Sequence, residues 1–257
     1  MADVILAYHS IDEQRTRLSV SPAAFERQMH GLARRGFRAI TVSELVSDQP
    51  TGAPRVAITF DDGFASVRER ALPLLEHLGF RATVFAIAGA LGRVATWTDA
   101  GGPLPPLELM KPDELTQLAG AGWEIASHTC THRCSLDLSS AQWAEELSRS
   151  REILTALRGA PVRGFAYPHG CYDARAAAAV SAAGYAWACT TMPGTLAGSP
   201  ELFGLRRVTV GRTTTPIRFR VASYEPIQAL RRRSRAHRLI ASGQHAHGPG
   251  TETASFA

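Results

Sequence analysis

Short apolar, β-branched runs alternate with helical patterns along almost the whole 257-residue chain, and this alternation restricts the fold more than any other feature. DVILAYH (3–9), FRAITV (37–42), RVAITF (55–60), RATVFAI (81–87), WEIAS (123–127), VRGFAY (162–167), YAWACT (185–190) and LRRVTV (205–210) read as strands. Between them, Ser21 and Pro22 open a helix with Phe25, Met29 and Leu32 on one face and a stop at Gly36. SELV starts a short helix, and Val67, Ala71, Leu74, Leu75 and Leu78 form the face of another, in which Pro73 predicts a kink. Pro112, Asp113 and Glu114 make a first helical turn. Ser139 with Gln142 resembles a capping box for a helix carrying Trp143, Leu147, Ile153, Leu154 and Leu157, and an Ala-rich helix follows over 173–183. With no fixed repeat and no internal linker, the pattern predicts a single α/β domain, a distorted (β/α) barrel of seven or eight parallel strands. An open doubly wound sheet shows the same alternation, but the chain carries no Gly-rich dinucleotide fingerprint.

The formal net charge of +5 is concentrated in one place. Up to Glu225 basic and acidic residues nearly balance, and the excess lies in LRRRSRAHR (230–238). The expected organisation is therefore a folded body, 1–225, and a basic segment with a small, polar, disordered tail, 226–257. A nearly neutral body argues against a nucleic-acid partner. The basic segment reads as a solvated helix end, with contact to an anionic membrane surface as the alternative. No apolar run approaches the ~20 residues that span a bilayer. MADVILAYHSID has an acid where a secretory leader carries basic residues, so a cytoplasmic location is expected. Cys130, Cys134, Cys171 and Cys189 are then expected to be reduced thiols, since a chain of this size forms a core without staples.

The strand RVAITF ends abruptly in two acids and a glycine, Asp61, Asp62 and Gly63. Strand C-termini are where α/β folds keep their active sites. Neighbours on a strand point opposite ways, but where the backbone turns two adjacent acids can address one cleft from two directions and hold two different jobs. His128 and His132 stand four apart directly after WEIAS, a spacing that brings two imidazoles to one point in a tight turn. Joined to a carboxylate of ITFDDG they form a two-histidine, one-carboxylate set with open positions for water and substrate. Cys130 and Cys134 interleave with them, but no second Cys or His pair stands at the spacing of a closed structural zinc site. The long Gly- and Pro-containing loop over 89–109 is of the length that usually serves function.

These segments resemble the polysaccharide deacetylases of carbohydrate esterase family four, also called the NodB-homology domain. TFDDG (59–63), SHTCTH (127–132) and FAYPHG (165–170) stand in the family's order, and softer similarity runs from Ile5 to Val210. The resemblance implies a metal-dependent hydrolase that removes acetyl groups from an N-acetylated saccharide or glycoconjugate. It implies Asp62, His128 and His132 as metal ligands, Asp61 as general base and the backbone N–H of His169 as oxyanion donor. Zinc (Zn2+) is the default cation, with cobalt (Co2+), nickel (Ni2+) or manganese (Mn2+) as alternatives.

The chain also departs from the family pattern. Ala166 stands where the family has an arginine that tethers the base, His169 stands where it has an aromatic, and its late histidine is missing after YAWACTT. ILAYHS at the N-terminus resembles that histidine motif moved to the front, as in the circularly permuted branch of the family. In a closed barrel the first strand lies beside the last, so such a move keeps the motif's place in space. His9 is therefore expected as general acid, and Arg207, or as second choice Arg206, as the base tether. Trp97, Tyr167, Pro168 and Trp187 are candidates for sugar contact. Two rival readings are a deacetylase or amidase acting on a small glycosylated metabolite and a catalytically inactive carbohydrate-binding module.

Overall fold

Eight strands carry the fold: β1 (Val4–Tyr8), β2 (Arg38–Ile40), β3 (Arg55–Phe60), β4 (Thr83–Ala86), β5 (Glu124–Ser127), β6 (Gly164–Ala166), β7 (Trp187–Pro193) and β8 (Leu205–Thr209). The computed structural model describes residues 3–222 except 15, 48–51, 100–101 and 200. The basic segment and tail expected over 226–257 lie outside the described residues. All pairings among the eight strands are parallel. β1 pairs with β8 on one edge and with β3 on the other, so seven strands close a ring in the order β1-β8-β7-β6-β5-β4-β3. The eighth, β2, pairs with the first half of β3, whereas Thr59 and Phe60 in its second half pair with β4. A seven-stranded closed barrel with one extra strand thus meets the expectation drawn from the alternation.

Most strands are buried along their whole length because side chains alternate between two apolar surroundings. Val4, Leu6, Tyr8, Ile58, Phe60 and Phe165 face the surrounding helices. Ile5, Ala57, Phe85, Ala126, Ala166, Cys189 and Leu205 fill the barrel interior. Three inward alanines leave room for the Phe85 ring, and the Arg207 guanidinium lies 5.3 Å from its centroid.

The helices follow the sequence pattern closely. α1 (Pro22–Arg34) is capped by Ser21, whose hydroxyl accepts from the Ala24 N–H, and it buries Phe25, Met29 and Leu32. α2 (Val42–Ser47) does not lie on the outside. Val42 and Leu45 join the interior cluster, so α2 plugs the N-terminal end of the barrel. The kink expected at Pro73 takes another form: Val67–Ala71 winds as a π turn, and α3 (Leu72–His77) starts after it with the proline in its first turn. α4 (Pro112–Gly120), α5 (Ser140–Arg158), α6 (Ala174–Ala182) and α7 (Pro216–Ala222) complete the shell. α5 carries the Ser139–Gln142 capping box. The long loop after β4 contains a small antiparallel hairpin, Thr98–Asp99 against Gly102–Pro103, and a bridge between Leu109 and Phe64 fastens it to the end of β3. None of the helices among the described residues is long and apolar enough to cross a membrane.

Candidate active site

The C-terminal strand ends converge on the carboxylate pair that follows β3. Asp62 turns into the left-handed region at φ 70°, and the turn aims it differently from Asp61. Its Oδ1 lies 3.4 Å from His128 Nε2 and 3.3 Å from His132 Nε2. One donor atom from each of the three residues falls within 4.8 Å of the others. Burial alone would raise the Asp62 carboxyl, but the His132 and His128 imidazoles facing it hold it well below the ordinary carboxylate range. Asp62 Oδ1 is buried without a hydrogen-bond partner, a costly arrangement that a cation relieves. The donor set of two imidazoles and a carboxylate therefore fits a divalent metal ion.

The histidines are held from behind. His128 Nδ1 donates to the Ala166 carbonyl at 2.8 Å, which leaves the Nε2 lone pair facing Asp62. The turn that bears His132 is braced by its own hydroxyls: the His132 N–H donates to Thr129 Oγ1 at 2.9 Å and the Thr129 N–H to Ser127 Oγ at 3.2 Å. Glu146 of α5 clamps the same turn. Its carboxylate accepts from the Cys130 N–H at 2.8 Å, the Thr131 N–H at 2.9 Å and the Thr131 hydroxyl at 2.6 Å. Thr129, His132 and His169 join Asp62 as the non-glycine residues with positive φ among those described. Each such residue stores roughly 1–3 kcal/mol of strain, and here all of it lies at one site.

Asp61 has different company. Arg207 Nη1 and Nη2 donate to its two oxygens at 2.6 and 2.7 Å, while Nε donates to the Thr190 carbonyl at 2.9 Å and Nη1 also reaches Thr59 Oγ1 at 3.2 Å. Arg207 is fully buried, rising through the barrel interior two strands away from Ala166. Burial again raises the Asp61 carboxyl, and the Arg207 guanidinium outweighs it, so the group sits below its ordinary value. Arg206, one residue away, points to the other side and donates to the Pro193 carbonyl at 3.4 Å. His9, just past β1, places Nε2 3.9 Å from Asp61 Oδ2. Its buried Nδ1 has no partner.

The His169 ring is exposed and packs 4.6 Å from the His132 ring, centroid to centroid. Partial burial and the neighbouring His132 and His128 charges lower its pKa. Its φ of 57° is followed by Gly170 at 72°. A Cβ on Gly170 would come within 1.9 Å of Thr191 Oγ1, so only glycine closes this turn.

The aromatic candidates divide. Trp97 is half-buried at the site, its ring 4.7 Å from that of His132. Trp187 is a correction: as the first residue of β7 it lies at the opposite end of the barrel, where its Nε1 donates to Ser43 Oγ at 2.9 Å. Tyr167 is another, fully buried with its hydroxyl donating to the Phe203 carbonyl at 3.0 Å and its ring stacked on Tyr172. Pro168 is buried as the opening residue of the His169 turn, and it shapes that turn instead of facing a sugar. Sequence reasoning missed Thr59, Thr190 and Glu146. Two of these act through hydroxyl or backbone groups, and Glu146 binds a turn that no local pattern links to it.

The family model described as polysaccharide deacetylase matches residues 48–188. The Bacillus subtilis protein YxkH is 29% identical over 210 residues, covering 80% of this chain and 70% of YxkH. A poly-β-1,6-N-acetyl-D-glucosamine N-deacetylase of Staphylococcus aureus is 27% identical over 175 residues, which is 63% of this chain and 58% of that protein. The crystal structure of a polysaccharide deacetylase from Bacillus cereus superposes with a TM-score of 0.73 at 28% identity, over 87% of this chain and 69% of that one. The family match spans more than half of the chain, including β3 and β5 with the acids and histidines that follow them, and on that ground this chain belongs to the polysaccharide deacetylase family.

Proposed function

We propose that the protein is a metal-dependent N-deacetylase acting on saccharides or glycoconjugates of the N-acetylglucosamine type. One observation carries the reading: two adjacent buried carboxylates have separate surroundings, Asp62 against two imidazoles and Asp61 against Arg207 and His9. A divalent cation held by Asp62, His128 and His132, zinc by default, would supply Lewis acidity that acidifies a water and polarises the acetyl carbonyl. Asp61, left outside that donor set, accepts the proton of the attacking water. Arg207 orients it and keeps it ionised, so it is competent as a base at neutral pH. The backbone N–H of His169, presented by its left-handed turn, donates to the oxyanion formed on attack, an interaction worth roughly 3–4 kcal/mol of barrier. His9 then gives its proton to the leaving amine, a role supported by its Nε2 lying 3.9 Å from Asp61 Oδ2. Trp97 beside His132 offers a flat apolar wall for the sugar ring.

The Staphylococcus aureus relative, named for its action on poly-β-1,6-N-acetyl-D-glucosamine, supports the substrate class. Acetate release from N-acetylglucosamine oligosaccharides, measured with and without chelator, tests the reading. Release that stops with chelator and returns with added metal is expected. Saccharide binding with no acetate released under any metal condition would instead support an inactive binding module.

A further inference from the structure

Two cysteines occupy equivalent places on the two turns that wall the site. Cys134 stands two residues beyond His132, and Cys171 stands two beyond His169. Their segments are sewn together: Ser135 Oγ donates to the Cys171 carbonyl at 2.8 Å, and Arg175 donates to the Ser135 carbonyl at 3.0 Å and the Leu138 carbonyl at 3.3 Å. Across this seam the Cys134 thiol stands beside the Cys171 thiol. Both are half-exposed, whereas Cys130 and Cys189 are buried, and all four are free. Deacetylation as derived above uses none of these thiols.

We propose that Cys134 and Cys171 form a redox-modification site, closing into an intramolecular disulfide on reaction with a small-molecule disulfide such as oxidised glutathione. One protein thiolate attacks a glutathione sulfur, giving a mixed disulfide and releasing one glutathione; the second displaces the other. Two protein thiols are oxidised, one glutathione disulfide is reduced, and the two protons end on the two glutathione thiols. Burial and the Cys134 thiol beside it push the Cys171 thiol up to about 12. A seam braced by the Ser135 and Arg175 hydrogen bonds, with the two thiols side by side, can bridge with little backbone movement. The bridge ties the His132 turn to the His169 turn and closes a long loop in the unfolded chain.

The test uses the full chain and needs no substrate, so it stands apart from the deacetylase reading. Protein incubated with oxidised glutathione is digested for mass spectrometry and, undigested, melted. A Cys134–Cys171 cross-linked peptide is expected, with a Tm raised by about 5 °C or more that returns to its starting value on reduction. Neither Cys134→Ser nor Cys171→Ser should give the peptide or the shift. Recovery of both thiols unreacted, of separate glutathione adducts without the cross-link, or of an equal Tm rise in Cys134→Ser would overturn the proposal.

Discussion

The two ends of the barrel bury carboxyl groups whose pKa values are shifted in opposite directions. At the N-terminal end Glu124 accepts hydrogen bonds from the Ser43 hydroxyl, the Ser43 N–H and Thr83, and Trp187 in turn donates to Ser43. Its carboxyl is raised above the ordinary value, because burial outweighs these neutral donors. At the C-terminal end Asp61 and Asp62 are buried as deeply, and burial is again the largest influence, yet both are lowered. The difference is what binds them: hydroxyls and an amide at one end, where Arg158 acts only as the weakest influence, and a guanidinium and imidazoles at the other. Burial therefore does not set the direction of a shift; the charge of the partner does. The same strands build an N-terminal end whose buried carboxyl is raised and a C-terminal end whose carboxyls are lowered, with strained turns and no hydrogen-bond partners for His9 Nδ1, Asp62 Oδ1 and His132 Nδ1.

Substitutions at each end test this contrast. His9→Ala should show the largest effect, a fall in turnover of about 10²–10⁴-fold, with the unfolding transition retained. Acetate release paired with thermal melts checks it, and undiminished turnover would remove His9 from the reaction. Arg207→Met should lower the unfolding free energy by about 3–5 kcal/mol in urea titration, because Asp61 is left as an unpaired buried charge. A loss below about 1 kcal/mol would mean that the pair is not what keeps Asp61 ionised.

The N-terminal end should respond in stability alone. A Cβ on Gly164 would lie 2.2 Å from the Trp187 ring. Gly164→Ala should therefore cost about 1–3 kcal/mol while kcat per folded molecule stays unchanged. The smallest effect is expected from Glu124→Gln, within about 1 kcal/mol at neutral pH. Its value lies in the sign. A raised folded-state pKa contributes stability that is present below 4.5, the unfolded value, and is lost as pH rises through the folded value. Wild type should thus lose stability relative to the variant across that window. Parallel curves would show that the Glu124 carboxyl is not raised on folding.

Much of this was legible in the sequence, for reasons that differ by residue. The strands were readable because each is an apolar run that ends in turn chemistry. Asp61, Asp62, His128 and His132 were readable because strand-end acids and a four-residue histidine spacing converge only if the fold brings the strand ends together, and the barrel does. Arg207 is signalled by an absence, the Ala166 that stands where the family has arginine, and it pairs with Asp61. Other features depend on position in space. SELV predicts a helix, but nothing in its pattern says that α2 enters the barrel. Trp97 and Trp187 look alike as candidates, and what separates them is that one sits on a loop at the strand ends and the other opens a strand. Glu146 was invisible because its partners are N–H groups of a distant turn, which carry no side-chain signature.

Metal content measured beside acetate release in wild type, Asp61→Asn and Asp62→Ala tests the division of labour between the two acids most directly. Bound metal is predicted in wild type and in Asp61→Asn but not in Asp62→Ala, with acetate release lost in both variants. Metal lost from Asp61→Asn as readily as from Asp62→Ala, or acetate release that survives in metal-free Asp62→Ala, would contradict the assignment of Asp62 to the cation and Asp61 to the proton.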